Sequence, residues 1–386
     1  MNFNLSDDQI AFKQAAKDFA VKEMAPFAAK WDRESIFPIE MIKKMGELGF
    51  LGLYSPEQYG GLGLSRLDSS IIFEELSKYC TSSTAYITIH NMCAWMVTTF
   101  ADDGIAQQWG TKLTSGEYLA SYCLTEPGAG SDAGSMTTTA VLNNDEYLIN
   151  GSKTFISGAG STDVLVLMAR TGEPGPKGIS CFLVPADLEG IIYGKKEEKM
   201  GWNSQPTRLI TFENVKLAKK YLIGAEGQGF KFAMKGLNGG RINIASCSLG
   251  TAQESLRLAQ EYMLERRQFG KPLAAFQALQ FKLADMATEL IASRQMVRLA
   301  AFKLDENDTS ASVYCAMAKR YATDICFKIC DESLQLHGGY GYIKEYPIER
   351  HLRDTRVHRI LEGTNEIMRM IISKKLLVEG AVEVIQ

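Results

Sequence analysis

The chain has 386 residues, 46% of them hydrophobic, and 42 Lys and Arg set against 45 Asp and Glu leave a formal charge of −3. That length exceeds what one core usually holds, so two or three domains are expected. Nearly balanced charge excludes nucleic acid or an anionic membrane as the main partner, although local basic groups can still bind an anionic ligand.

Residues 1 to 120 read as an N-terminal helical domain. Ser6 and Gln9 make a capping-box pattern ahead of Ile10, Phe12, Ala16, Phe19 and Ala20 at helical spacing. Pro38 suits the first turn of a helix whose Met41, Met45 and Leu48 share a face. Gly60-Gly61-Leu62-Gly63 breaks the pattern before a helix predicted from Leu67 to Lys78. Residues 121 to 229 change grammar. Thr137–Leu142, Glu146–Ile149, Val164–Ala169, Ile179–Val184 and Leu209–Phe212 read as strands, and Asn150-Gly151 reads as a hairpin turn. Short strands with tight turns predict a middle antiparallel β domain. Residues 230 to 386 return to helix, with long segments near 230–266, 273–305 and 310–336 and two shorter ones after them, which predicts a bundle. The class is α+β, multidomain.

Eight Cys are scattered without CxxC pairs, which fits free thiols in a reducing compartment; Cys326 and Cys330, four apart on a predicted helix, read as a packed face. The four His form no ligand cluster, so no metal site is expected. The sequence shows no signal peptide, transit segment or membrane-spanning run, and its start predicts the bacterial cytoplasm, or the mitochondrial matrix for a trimmed eukaryotic protein.

Several segments carry chemistry. Tyr122–Asp132 contains Gly128-x-Gly130-x-x-Ala133 but lacks the parallel strand and following helix of a dinucleotide fold. Its small residues would instead let backbone N–H groups approach a flat ring or a phosphate, and Thr125 and Ser131 add hydroxyls. An ordinary Gly-rich connection is the other reading. In Lys153-Thr154-Phe155-Ile156-Ser157 an aromatic and a hydroxyl two apart on a strand share a face, as ring stacking requires. Arg241 follows Asn238-Gly239-Gly240 near a helix start. Arg266 and Arg267 end a helix, with Gly270 as its stop, and could grip phosphate. Gln335–Gly341 closes another helix with exposed backbone. Leu361-Glu362-Gly363-Thr364-Asn365-Glu366 sets one carboxylate between an apolar run and a helix that Thr364 can cap. A carboxylate beside apolar side chains gains basicity, whereas a Glu at a helix start can also be simply solvated.

In order and spacing these segments resemble the acyl-CoA dehydrogenase family from about Leu5 to Leu377. The resemblance implies an N-terminal helical domain, a β domain and a C-terminal four-helix bundle, as a homotetramer. It implies FAD as cofactor and electron-transfer flavoprotein as electron acceptor. Carried over residue by residue, Glu362 is the base that removes the α-proton of the thioester. Tyr122, Leu124, Thr125, Gly130 and Ser131 would contact flavin, with Phe155, Ile156 and Ser157 flanking its ring. Arg266, Phe269, Phe276, Gln277, Gln335, Gly338 and Gly339 would grip the adenosine and pyrophosphate, some across a subunit boundary, and Thr364, Asn365 and Glu366 would complete the site. Ser131, Asn238, Arg241 and Gly363 would meet the CoA ester. In some relatives the base stands on the segment matching Asn238–Arg241; here that position is Gly240.

Gly201–Arg208 and Gly239–Cys247 resemble the branch of the family that dehydrogenates isobutyryl-CoA in valine breakdown, and Phe155 and Ser157 agree with it. Lys374 departs from an Arg common near the C-terminus. Tyr86, Thr88 and Asn91 are expected around the acyl group. The alternatives are a short straight-chain or 2-methylbutyryl-CoA dehydrogenase, an acyl-CoA oxidase on the same fold, and a catalytically silent binding protein.

Overall fold

A computed structural model describes residues 4–378; residues 1–3 and 379–386, the outer ends of the two stretches predicted to be helical, lie outside the described residues. Helices α1 (Asp7–Glu23), α2 (Ala28–Glu34), α3 (Ile39–Glu47), α4 (Arg66–Ser77), α5 (Thr81–Phe100), α6 (Asp103–Ile105) and α7 (Thr111–Ser115) come first. The capping box at Ser6 and Gln9 forms as predicted, with both reciprocal bonds present. Pro38 sits just ahead of α3, and Leu48 ends the helix exposed rather than joining Met41 and Met45 in the core.

The strands are β1 (Ala120–Cys123), β2 (Thr139–Asn143), β3 (Glu146–Ser157), β4 (Val164–Arg170), β5 (Ile179–Pro185), β6 (Ile191–Tyr193), β7 (Thr207–Ala218) and β8 (Leu222–Ile223). They form one sheet in the order β6-β7-β3-β2-β4-β5-β8, with β1 added on β4. Most pairs are antiparallel; β1 on β4 and the single Thr139–Arg170 pairing are parallel. The hairpin turn lies at Asn144-Asp145, where Asn144 takes φ 56°, and not at Asn150-Gly151. Asn150 and Gly151 lie inside β3 at a bulge against β7. Gly151 is needed there because its φ is +142° and a Cβ would stand 2.6 Å from the Thr138 hydroxyl. Apolar runs Val164–Ala169 and Ile179–Val184 are buried on both faces, which explains their lack of alternation.

Helix α8 (Gly229–Glu265) runs through the middle of the third part. Gly239 to Ala252 is buried without interruption, because neighbours cover it on every side. Small residues permit this: a Cβ on Gly250 would stand 1.9 Å from the Glu74 carbonyl oxygen on α4. At the far end of α8, β9 (Arg267–Gln268) and β10 (Lys271–Pro272) make a short ribbon whose turn is Phe269-Gly270, both at positive φ. Gly270 therefore serves a hairpin, and the helix stops five residues earlier for want of continuing partners. Helices α9 (Gln277–Asp305), α10 (Ala311–His337), α11 (Ile348–Arg356) and α12 (Asn365–Val378) complete the chain. Helix α10 packs against α8, α9 and α12, which gives a four-helix arrangement. No helix of the described residues is long and apolar enough to cross a membrane.

Candidate active site

After α11 the chain tightens into a 3-10 turn, Val357–Arg359, and then reverses. Glu362 takes φ 57° and Gly363 φ 86°. Glycine adopts that region freely, but a glutamate there costs on the order of 1–3 kcal/mol and persists only where its surroundings hold it. Three anchors do so. Thr364 Oγ1 accepts from the Ile367 N–H at 3.3 Å and caps α12. Lys319 Nζ donates to the Gly363 carbonyl at 2.8 Å, and Arg241 Nε donates to the Glu362 carbonyl at 3.4 Å. Leu361, ahead of the base, packs with Val357 on Ala85, Trp202, Ile244 and Cys247.

Glu362 is half-buried as a residue, but its Oε2 is sealed from solvent and has no hydrogen-bond partner. Burial lifts its pKa to about 7 against the opposing pull of Arg241 and Lys319. The carboxylate lies over Gly240, where a Cβ would stand 2.3 Å from Oε2. The glycine thus makes room for the carboxylate. Gly240→Ala is expected to keep or raise stability, since Ala favours a helix by roughly 0.5–1 kcal/mol. The same change should cut kcat about 10- to 100-fold by pushing the carboxylate aside. Thermal unfolding and steady-state kinetics on one preparation check both; wild-type kcat in this variant would contradict the geometry.

The Tyr122 hydroxyl is also buried without a partner. Its pKa is raised by burial, and also by Cys181, Glu362, Cys93 and Cys123 around it. Tyr122 stands near the end of β1 beside the close of β3, where Ser121 Oγ donates to the Ser157 carbonyl at 2.7 Å and the Thr154 N–H to the Thr125 carbonyl at 2.9 Å. A second bulge between Lys153 and Ile156 puts Phe155 at φ 57° and 69% exposed, a large aromatic open to solvent. Ser157 is half-buried. The bulge breaks the plain alternation from which a common face of Phe155 and Ser157 was expected. Gly128 and Gly130 have nothing within 4 Å of where a Cβ would stand, so that loop offers bare backbone, with Ser131 exposed beside it. Beneath it a buried pair, Lys153 Nζ to Glu126 Oε1 at 2.7 Å, ties the loop down, and Lys153 also holds the Leu124 carbonyl.

Some expected site residues are placed otherwise. The Leu124 and Ile156 side chains are buried in core clusters, which leaves only their backbone for a ligand. Asn365 is buried against α10, bonded to Lys319, Thr323 and Asp324, so its side chain braces the base loop. Asn91 spends its amide on the Phe50 and Ile87 carbonyls and the Leu53 N–H. Tyr86 donates to the Ala120 carbonyl and Thr88 to that of Ala85. They are satisfied core residues; Met92 and Met96 of α5 stand against Gly236 of α8. Asn238-Gly239-Gly240-Arg241 lies about three turns into α8, with Arg241 Nη1 donating to Asn238 Oδ1 at 2.8 Å.

A second group gathers at the other end of α8. Arg266, Gln335, Gly338 and Gly339 line a cavity of about 740 Å³ together with Tyr262 and Tyr340. Cβ atoms on Gly338 and Gly339 would meet nothing, and the Arg266 guanidinium stands 5.6 Å from the Tyr340 ring centroid. Phe269 at the ribbon's tip is 92% exposed and meets Phe276 edge-on; Gln277 opens α9. Gly240 and Arg266 are 26 residues apart on one helix, roughly 39 Å by the helical rise, which is longer than an extended dinucleotide. A cofactor that reached the carboxylate over Gly240 could therefore not also touch Arg266 of the same chain. Glu366, in the first turn of α12, is exposed and reaches only Arg369.

The two groups fit a flavin dinucleotide: one has bare backbone, an orphaned tyrosine and an exposed phenylalanine for a ring, the other a basic, aromatic cavity for a nucleotide. Sequence reasoning missed Lys319, Glu126, Trp202 with His358, and Arg66. Arg66 is buried with Nη1 unpartnered, 3.4 Å over the Tyr54 ring and against Gly239. Charged residues carry no mark of burial in a sequence; only the apolar neighbours of Lys319, such as Ala316 and Ala318, hinted at it.

Three family patterns match the chain: acyl-CoA dehydrogenase N-terminal domain over residues 6–117, middle domain over 121–215 and C-terminal domain over 227–377. The chain is 54% identical to mitochondrial isobutyryl-CoA dehydrogenase of Bos taurus, covering 98% of this chain and 91% of that protein. It is 56% identical to the mitochondrial isobutyryl-CoA dehydrogenase of Dictyostelium discoideum, over 96% and 90%. Among solved structures it is similar to a chain in the structure of the electron transferring flavoprotein of Acidaminococcus fermentans. There the TM-score is 0.95 and the identity 40%, over 98% of this chain and 100% of that one.

Proposed function

The chain belongs to the acyl-CoA dehydrogenase family, and from that premise we propose that it dehydrogenates a short branched acyl-CoA, isobutyryl-CoA, with Glu362 as base. The observation that carries this reading is the sealed, unpartnered Glu362 oxygen with a pKa lifted to about 7, where a general base works best at neutral pH. Its relatives of 54% and 56% identity support the acyl group.

FAD, held by Tyr122, Thr125, Gly130, Ser131, Phe155 and Ser157, supplies the two-electron acceptor for the β-hydride. The residues of the chain do the rest. Glu362 takes the α-proton onto its free oxygen as the Cα–Cβ bond becomes double. The left-handed turn removes the Glu362 N–H from the helical ladder, so that it can donate to the thioester oxygen as charge develops there. Arg241 holds the Glu362 carbonyl and, with Asn238, Gly363 and Ser131, faces the CoA ester. The wide separation along α8 between Gly240, under the base, and the Arg266 cavity supports at least two copies of the chain, each completing the other's site, which agrees with a homotetramer. Similarity to a chain in an electron transferring flavoprotein structure supports such a flavoprotein as the electron acceptor.

Anaerobic titration with isobutyryl-CoA, butyryl-CoA and 2-methylbutyryl-CoA, read from flavin absorbance, tests the reading. Isobutyryl-CoA is expected to bleach the protein fastest. Preference for another thioester would move the substrate, and no bleaching by any short acyl-CoA would overturn the reading.

A further inference from the structure

We propose that Lys319 is a positioning residue for the base: its ammonium clamps the carbonyl of Gly363 and the side chain of Asn365, and so holds Glu362 in its left-handed turn over Gly240. The inference rests on the reading of Glu362 as base. Lys319 stands on α10, fully buried, with Nζ 2.8 Å from the Gly363 oxygen and 2.9 Å from Asn365 Oδ1. The Asn365 amide in turn donates to Thr323 Oγ1 at 3.0 Å and Asp324 Oδ1 at 2.9 Å on the same helix. The strained glutamate-glycine turn is therefore bound to α10 at its own Gly363 and again at Asn365, two residues on. Burying an ammonium is costly, and burial depresses Lys319 to about 7 while Glu362 opposes that shift. No apolar side chain of that length could hold the two acceptors.

The charged and titratable groups facing this pair come from every packed element. They are Arg241 on α8, Asp324 on α10, Glu366 on α12 and His358 ahead of the base loop. Tyr122 on β1 and Cys93 on α5 face the carboxylate. His358 is held neutral. Trp202 Nε1 can only donate, so it donates to His358 Nε2 at 3.2 Å, and Nδ1 carries the proton toward Ser248. Burial keeps the His358 pKa near 3. The groups that can set a positive charge beside the carboxylate are thus Arg241, charged at neutral pH, and Lys319, which burial leaves partly charged there.

The test is Lys319→Gln in the FAD-loaded enzyme, with kcat, KM and the pH profile of kcat/KM. In the native enzyme the profile should rise with pH through about 7, because the base must lose its proton. In Lys319→Gln kcat is expected to fall about 10- to 100-fold with KM changed less than about threefold. The rising limb should also move to higher pH, since a cation favouring the carboxylate is gone; a merely structural lysine would leave that limb in place. Should Lys319→Gln not fold, Asn365→Ala removes one clamped acceptor and keeps the charge, and is expected to lower kcat without moving the limb. Native kcat and limb in Lys319→Gln, or native kcat in Asn365→Ala, would overturn the clamp. An active Glu362→Gln would instead overturn the base assignment, so the two failures are separable.

Discussion

Glu362→Gln is expected to lose dehydrogenation by about 10³- to 10⁴-fold in kcat, the upper part of what a positioned general base contributes. The amide fills the same volume over Gly240 and so leaves the loop in place, but it has no lone pair basic enough to take a thioester α-proton. The unpartnered Oε2 makes this change informative, because no hydrogen bond inside the protein is broken at that atom. The variant should bind flavin and CoA thioesters like the parent. Flavin absorbance on mixing with isobutyryl-CoA, together with a binding titration, would check it. Turnover near the native rate would end the base assignment.

Lys153→Met should carry the largest stability loss, about 3–5 kcal/mol, the usual cost of removing one partner of a buried ion pair. Lys153 is fully buried and Glu126 nearly so. Burial pushes the Glu126 carboxyl up, but Lys153 and donors from Thr137 and Thr138 outweigh it and hold it at about 2. Burial depresses Lys153, with Glu126 opposing. The two partners thus point in opposite directions: the pair stabilises through the carboxylate and costs on the ammonium side. We weight the consequence of breaking it over any net gain from its presence. A depressed carboxyl contributes stability that is complete above its ordinary 4.5 and lost as pH falls toward about 2. Lys153→Met should therefore show a lower urea midpoint at pH 7, with a deficit against the native protein that shrinks as pH falls and the unpaired Glu126 carboxyl takes up a proton. Lys153→Met/Glu126→Gln should recover part of the loss. A single variant with the native midpoint would show that the pair is dispensable. Because Lys153 also holds the Leu124 carbonyl, flavin retention should weaken with it.

Much of this protein was legible in its sequence. Period-3.6 runs marked the long helices because each buries one stripe, and α8 was found although it is covered all round. The strand runs were visible for the same kind of reason, since β-branched and apolar residues fill both faces of a buried sheet. Turn chemistry misled at Asn150-Gly151 and Gly270: the pattern shows that a residue tolerates positive φ, not whether a bulge, a hairpin or a helix end uses it. Leu48 fell outside the core because helical spacing gives a face, and only packing says what that face meets.

For the site, the sequence by itself determined which residue types could do the chemistry: Glu362, the glycines around it, the small residues at Tyr122–Ser131 and the aromatic at Phe155. Only the tertiary structure decided what gives that glutamate its basicity. Burial, the Gly240 gap, Arg241 and Lys319 meet at Glu362 from positions 43 to 122 residues away in the chain. Ionisation depends on the solvent and charges within a few ångströms, and those distances exist only once the chain has folded.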